Sequence, residues 1–300
     1  MGINRYLSIA ERRGFFNWMP TEIYLKYKYY RCTGKKLDLD NPRTFNEKLQ
    51  KLKIIYAAMP ELSDYTMMAD KILSKNYIAW KIGPEYVIPT IGMWDHFDDI
   101  DFDCLPNQFV LKTNHDSGGL VICDDKSKFN KKLANKKLEK SLKYNYYWYG
   151  REPQYKNIAP KLFAEPLIHN ADNSTLVEYD FFCFNGEPQM FIYCHGDRHK
   201  GETRYNDFFL MDGTRLPFSW GYRSSALTEF TPFDVFSNMT EKARILSRGL
   251  PFLRVDFYLS NGKALMGEMT FFHWSGLRPT TPPEWDEKLG EWIQLPLNKT

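Results

Sequence analysis

The chain predicts an α+β fold, a helical N-terminal region followed by short strands. Three observations lead there. Residues 1 to about 83 carry helical capping and periodicity, and the Gly83-Pro84 pair closes them. From Tyr86 onward the apolar residues come in short runs rich in β-branched and aromatic side chains. Two Asn-Gly steps, Asn185-Gly186 and Asn261-Gly262, stand between such runs and mark tight hairpin turns.

Taken in order, Thr44 and Glu47 in TFNEK form a capping box ahead of LQKLKIIYA, and SDYTMMADKILSKNYIAWKIG carries a helical period that stops at Gly83. The runs YVIPTIGMW, QFVLK, LVIC, LFAEPLI, TLVEYDFFCF and QMFIYC then read as strands. A lysine-rich stretch from about 127 to 145 interrupts them as a helix whose charges form a solvated face. A helix around 233–247 follows, then the strands LRVDFYL and KALMGEMTFF. The expected organisation is a helical region over 1–62 and a catalytic region over 63–300, with a loop-bearing subdomain at about 105–164. No repeat, low-complexity segment or linker divides the chain.

With 43% hydrophobic and 26% charged residues, 300 residues suffice for a sizeable core, and disorder is excluded. The net charge of +3 is spread among residues of both signs, which gives no case for nucleic acid as a partner. No apolar run is long enough for an integral membrane segment, and MGINRYLSIAERRGFFNW has neither the apolar core nor the cleavage site of an export signal. Gly2 is no myristoylation site, since that pattern wants Ser or Thr where Tyr6 stands. Five cysteines without CxxC spacing fit a reducing cytoplasm.

Chemistry concentrates in two places. FVLKTNHDSGGLVICDD reads as strand, polar loop, strand, with Lys112 entering and Ser117, Gly118 and Gly119 at the turn. Such a loop lets backbone N–H groups approach a phosphate while the ammonium meets it as a point charge, although an ordinary glycine hairpin has equal weight from these residues alone. The second place is the last strand pair, where Asp256 and Glu268 come close to opposite. Two carboxylates there repel unless a cation lies between them, and hard oxygen ligands suit Mg²⁺. The competing reading pairs Asp256 with Arg254 and leaves Glu268 at a strand edge. The cluster His195, Asp197, Arg198, His199 and Arg204 offers arginine contacts for an anionic co-substrate, or else an exposed loop. Zinc at Cys194, His195 and His199 lacks a fourth ligand and is discounted.

The order of these features resembles the ATP-grasp enzymes: Asp70 and Lys71 in a helix, a lysine strand, a Ser-Gly-Gly hairpin, AEPLI with Glu165, then RVD and GEMT. More narrowly, NPRTFNEKLQ, QFVLKTNHDSGG, FFCFNG, RVDFY and GEMTFF resemble the TupA-like branch associated with teichuronopeptide and surface-polysaccharide biosynthesis. The resemblance implies a nucleotide held between two sheet-bearing subdomains, with ATP and Mg²⁺ as cofactors. Lys71 and Lys112 would hold the phosphates, and Ser117, Gly118 and Gly119 would form a mobile loop over them. Glu165, Pro166, Leu167 and Ile168 would line the adenine-ribose pocket. Asp256 and Glu268 would bind Mg²⁺, with Thr270 where asparagine is usual as a further ligand. Lys112 and Arg254 would be catalytic. Asp180 stands where a lysine is expected. His273, Ser275 and Arg278 follow the metal strand, where the acceptor usually binds, and join Arg198 and Arg204 as substrate candidates.

The implied reaction is ATP-dependent carboxylate–amine ligation, with a uronic-acid saccharide or sugar-linked carboxylate and an amino acid or amine as partners. Its place would be the bacterial cytoplasm, near the inner face of the membrane. The alternative is a glycosyltransferase using a nucleotide sugar and a DxD motif. Asp101 to Asp103 supply the letters, but they sit in a polar connector ahead of the lysine strand.

Overall fold

Antiparallel strand pairing dominates both halves of the protein, which we describe from a computed structural model covering residues 6–7, 10–11, 14–196 and 201–296. The chain forms two units. One comprises Met1–Tyr27, Lys53–Tyr77 and Ile88–Leu167, the other Lys28–Leu52, Ile78–Val87 and Ile168–Thr300. The N-terminal region is helical, with α1 (Thr21–Thr33), α2 (Phe45–Ala57), α3 (Leu62–Ala69) and α4 (Leu73–Ile82).

The first unit holds a four-stranded sheet in the order β1-β4-β2-β3, made of β1 (Gly92–Trp94), β2 (Phe109–Thr113), β3 (Leu120–Cys123) and β4 (Leu162–Pro166). α5 (Lys131–Leu142) starts where Asn130 Oδ1 accepts from Leu133 N at 3.0 Å. It buries Ala134 and Leu138 in a core with Phe102, Phe109, Leu111 and Leu162, while its lysines face solvent as the sequence predicts.

The second unit holds a five-stranded sheet in the order β7-β6-β5-β8-β9. Its strands are β5 (Val177–Phe184), β6 (Glu187–His195), β7 (Tyr205–Leu210), β8 (Phe252–Ser260) and β9 (Lys263–Thr270). Both Asn-Gly steps form the predicted hairpins. Asn185 and Gly186 have φ of 52° and 86°, and Asn261 and Gly262 have φ of 50° and 72°. Positive φ at both turn residues matches the right-handed twist of the flanking strands. The strand period then sorts the residues. Tyr179, Phe181 and Phe191 pack edge-on or tilted against Phe236 of the helix Asp234–Ser247, while Asp180, Arg254 and Asp256 fall on the other face. The capping box of α2 is also present: Glu47 N donates to Thr44 Oγ1 at 3.2 Å, and Thr44 N donates to Glu47 Oε2 at 3.1 Å.

Three expectations are corrected. The helical period over 63–83 is broken, so Asp70 and Lys71 lie between α3 and α4 and not within a helix. Asp70 takes extended backbone (ψ 114°), and its Oδ1 accepts from Ile72 N at 2.8 Å and Leu73 N at 3.2 Å. A side chain that satisfies the first N–H groups of a new helix ends the old one. The run from Tyr86 to Trp94 is a strand only at Gly92–Trp94, because Pro84–Tyr86 form a 3₁₀ turn entered through Gly83 at φ 119°. β7 was not expected, since Asn206 and Asp207 are poor strand formers, yet both are buried.

Candidate nucleotide and metal sites

In the first unit, Lys112 on β2 and Glu165 on β4 lie on neighbouring strands. Glu165 is buried and pairs with two lysines, Oε2 with Lys112 Nζ and Oε1 with Lys75 Nζ, each at 2.6 Å. Burial pushes the Glu165 carboxyl up, but the attraction of Lys112 and Lys75 outweighs it and holds the group below its ordinary range. Lys75 also donates to Ile88 O at 2.7 Å. The sequence reading missed Lys75; the only signal was a second lysine four positions after Lys71.

The loop after β2 is fixed from several sides. Asn114 Nδ2 donates to Asp70 Oδ2 at 2.9 Å and to Ala159 O at 3.0 Å, while Lys161 N donates to Asn114 Oδ1 at 2.8 Å. Lys71 N donates to Asn114 O at 3.0 Å, and its ammonium reaches Asp116 O. The Asp116 carboxylate accepts from the hydroxyls of Thr113 and Ser141. Ser117 and Gly118 are left exposed at the tip, with Gly118 at φ 103°. Gly119 is buried, and a Cβ there would overlap Thr113 Oγ1, Ser141 Oγ and the Asp116 carboxylate. Gly119→Ala should therefore cost about 1–3 kcal/mol of stability by overpacking, read from urea midpoints. Pro166 ends β4, Leu167 closes this unit and Ile168 opens a segment of the other.

Lys112 is the cation of this cluster with the more exposed side chain, 25% against 14% for Lys75. A phosphate can therefore compete with Glu165 for it. Lys112→Ala should weaken ATP binding by roughly tenfold or more, the worth of a charge-assisted bond, and leave the fold intact because Lys75 still neutralises Glu165. Calorimetric titration with ATP checks this.

In the second unit, three carboxylates stand in a row across the sheet, because Asp256 is register partner of Asp180 on one side and of Glu268 on the other. Arg254 clamps two of them. Its Nε and Nη2 donate to Asp256 at 2.7 and 2.5 Å, and Nη2 also reaches Glu268 Oε1 at 3.0 Å. Asp256 is buried, whereas Glu268, on edge strand β9, is 46% exposed in its side chain. Thr270 Oγ1 donates to Glu268 Oε1 at 3.3 Å. Arg254 Nη1 donates to Nδ1 of buried His273 at 2.9 Å, which leaves the ring proton on Nε2. Burial, then the charges of Arg254 and Arg278, hold His273 well below its usual pKa, so it stays neutral.

Among the described residues Asp180 has no partner for Oδ1, and it is pushed up to about 7 by burial and then by Glu178. Glu178 pairs with Arg204 at 2.5 Å. Oxygen atoms of Glu178 and Asp180 and the Cys194 sulfur lie within 4.8 Å of one another. Burial, then the charges of Asp180 and Glu178, pushes the Cys194 thiol well up. Four carboxyl groups, Glu178, Asp180, Asp256 and Glu268, face the two guanidinium groups of Arg204 and Arg254, and among the described residues one buried oxygen has no partner. That donor set fits a hard divalent cation. Of the other substrate candidates, Ser275 is buried, Arg278 lies over aromatic rings and Arg198 falls outside the described residues. Asp101 is engaged locally, accepting from Asp103 N at 2.9 Å and from Cys104 Sγ at 3.0 Å. Among the described residues no helix is long and apolar enough to cross a membrane.

Two antiparallel sheets, a lysine-bearing loop hairpin and a carboxylate strand pair define an α+β fold of the ATP-grasp class. The TupA-like ATP-grasp family matches residues 47–294, and the chain belongs to that family. It is similar in structure to a D-alanine–D-alanine ligase from Helicobacter pylori, at 17% identity and a TM-score of 0.42, over 76% of this chain and 62% of that one. The Bacillus anthracis D-alanine–D-alanine ligase solved with ATP gives 16% identity and a TM-score of 0.39 over 68% of this chain and 55% of that one. The D-cycloserine synthetase DcsG gives 14% and 0.40 over 84% and 80%. The chain thus spans 62% and 55% of the length of these two D-alanine–D-alanine ligases, less than two thirds of each. No curated protein matches it significantly.

Proposed function

We propose that the protein is an ADP-forming ATP-grasp ligase of the bacterial cytoplasm that joins an amino acid or amine to a uronic acid of a surface polysaccharide or its precursor. Support comes from one observation above the others: in a chain of this family, Arg254 is clamped between Asp256 and Glu268 on one strand pair. The carboxylate oxygen of the saccharide attacks the γ-phosphorus of ATP, ADP leaves, and an acyl phosphate results. The amine nitrogen then attacks the acyl carbon, the C–O bond to phosphate breaks, and the amine proton is lost to solvent.

In this reading Lys71, Lys112 and the backbone of Ser117, Gly118 and Gly119 bind the phosphates, and Glu165 orients Lys112 while the segment through Ile168 takes the adenine and ribose. Asp256, Glu268 and Thr270 would hold Mg²⁺, which neutralises charge on the transferring phosphoryl group when bound. Arg254 keeps Asp256 and Glu268 apart from each other's charge and is held in turn by His273. Arg204, Ser275 and Arg278 are assigned to substrate. With Mg²⁺ present, ATP should raise the melting temperature while a nucleotide sugar does not. Stabilisation by a nucleotide sugar alone would favour glycosyl transfer.

A further inference from the structure

Three neighbouring strands bring a sulfur and two carboxylates together on one face of the larger sheet. Glu178 and Asp180 stand two residues apart on β5 and so point the same way. Cys194 on β6 is the register partner of Glu178, and Asn206 on β7 is the register partner of Cys194. Facing side chains on adjacent strands meet, which draws the ligand atoms of Glu178, Asp180 and Cys194 to within 4.8 Å of one another. None of the three belongs to the Asp256–Glu268 pair.

The geometry of this cluster suits a metal ion better than a hydrogen-bond network. The Cys194 sulfur lies 3.8 Å from Asp180 Oδ2, a long contact for a hydrogen bond. Ligands of tetrahedral zinc, with sulfur at about 2.3 Å and oxygen at about 2.0–2.2 Å from the ion, stand about 3.6 Å from each other. Asp180 is only 7% exposed, yet among the described residues its Oδ1 has no partner, a cost that a cation would remove. Asn206 Nδ2 donates to the Cys194 sulfur at 3.0 Å, which favours the ionised sulfur that a metal binds. Arg204 holds Glu178 by Oε2, and the Glu178 side chain, 18% exposed, opens the cluster to solvent. Sulfur decides the class of ion. Burial and the charges of Asp180 and Glu178 favour the thiol, so the ion must replace its proton, which thiophilic cations do and Mg²⁺ does not.

We propose that Glu178, Asp180 and Cys194 bind a thiophilic divalent cation such as Zn²⁺, the metal–sulfur bond forming as the thiol proton passes to the buffer. The inference is independent of the ligase reading, since it needs neither ATP nor a saccharide. Titration of the full chain with Co²⁺, under a phosphine reductant and without nucleotide, tests it by optical absorption. Co²⁺ should give a saturable thiolate-to-cobalt charge-transfer band in the near ultraviolet. Zn²⁺ should displace the Co²⁺ and abolish the band, and an excess of Mg²⁺ should leave it in place.

Cys194→Ser should remove the charge-transfer band, and Asp180→Asn should weaken Co²⁺ binding by at least about tenfold. Cys104→Ser, which alters the exposed contact of Cys104 with Asp101, should change neither. Circular dichroism before metal is added establishes that each variant is folded, and Asp180→Asn, which keeps the shape of the side chain, decides the matter if Cys194→Ser does not fold. Absence of the band in the wild type, its survival in folded Cys194→Ser, wild-type affinity in Asp180→Asn, or displacement by Mg²⁺ as readily as by Zn²⁺ would overturn the assignment.

Discussion

Asp256→Asn and Glu268→Gln are each expected to lower Mg²⁺-dependent ADP release by about 100-fold or more, the scale on which removing one preorganised charge from a phosphoryl-transfer site acts. Their effects on stability should differ, and the difference comes from Arg254. Asp256 is buried and accepts two bonds from that guanidinium, so its neutralisation leaves a buried cation with only Asp180 and Glu268 as nearby acids and lowers apo stability by a few kcal/mol. Glu268 is half exposed on an edge strand, so Glu268→Gln should stay within about 0.5 kcal/mol of the wild type. Titrating Mg²⁺ against activity separates a ligand role from a structural one. If both variants keep the wild-type metal dependence, the carboxylates serve only the sheet.

Glu165→Gln is expected to have the largest effect on stability, roughly 3 kcal/mol at pH 7, because it leaves two largely buried ammonium groups without their counter-charge. The pH dependence has a definite sign. Glu165 is held below its ordinary value in the folded protein, where burial alone would raise it and the two lysines more than compensate. Its contribution is therefore full above the ordinary glutamate range near 4.5 and disappears as pH falls through the lower folded value. Urea midpoints of wild type and Glu165→Gln should lie far apart at neutral pH and converge in acid. A constant separation across that range would show that the carboxylate's charge is not what stabilises the cluster.

Much of the fold could be read from local chemistry. Both Asn-Gly hairpins need only two adjacent residues that tolerate positive φ, and the α2 capping box needs only Thr44 and Glu47. The same holds for Lys112 beside its glycine loop, whereas Asp256 comes opposite Glu268 only because a bulge between Asp256 and Phe257 shifts the register that the turn sets, which alone would place Gly267 there. What escaped the sequence depends on partners far along the chain. Asp70 breaks an otherwise helical period because it both caps α4 and accepts from Asn114, 44 residues away. Asp116 anchors the loop after β2 through Ser141, 25 residues on. Lys75 gains meaning only from Glu165, and β7 forms because the sheet gives Asn206 and Asp207 partners that propensity does not anticipate.

Arg254 bears out the ion-pair reading of the last hairpin, with Glu268 on the edge strand. It is the local partner of Asp256, and it is also the cation between the two carboxylates. Asp180 adds a third carboxyl group to that face, and among the described residues its buried Oδ1 has no partner.

Ligation through an acyl phosphate is tested most directly by product analysis with ATP, Mg²⁺, a uronic-acid glycan and a pool of amino acids. The proposed chemistry predicts ADP and inorganic phosphate only when both acceptor types are present, and a hydroxamate of the glycan when hydroxylamine replaces the amine. Transfer of sugar from a nucleotide sugar without ATP, or ADP release indifferent to the glycan, would contradict it.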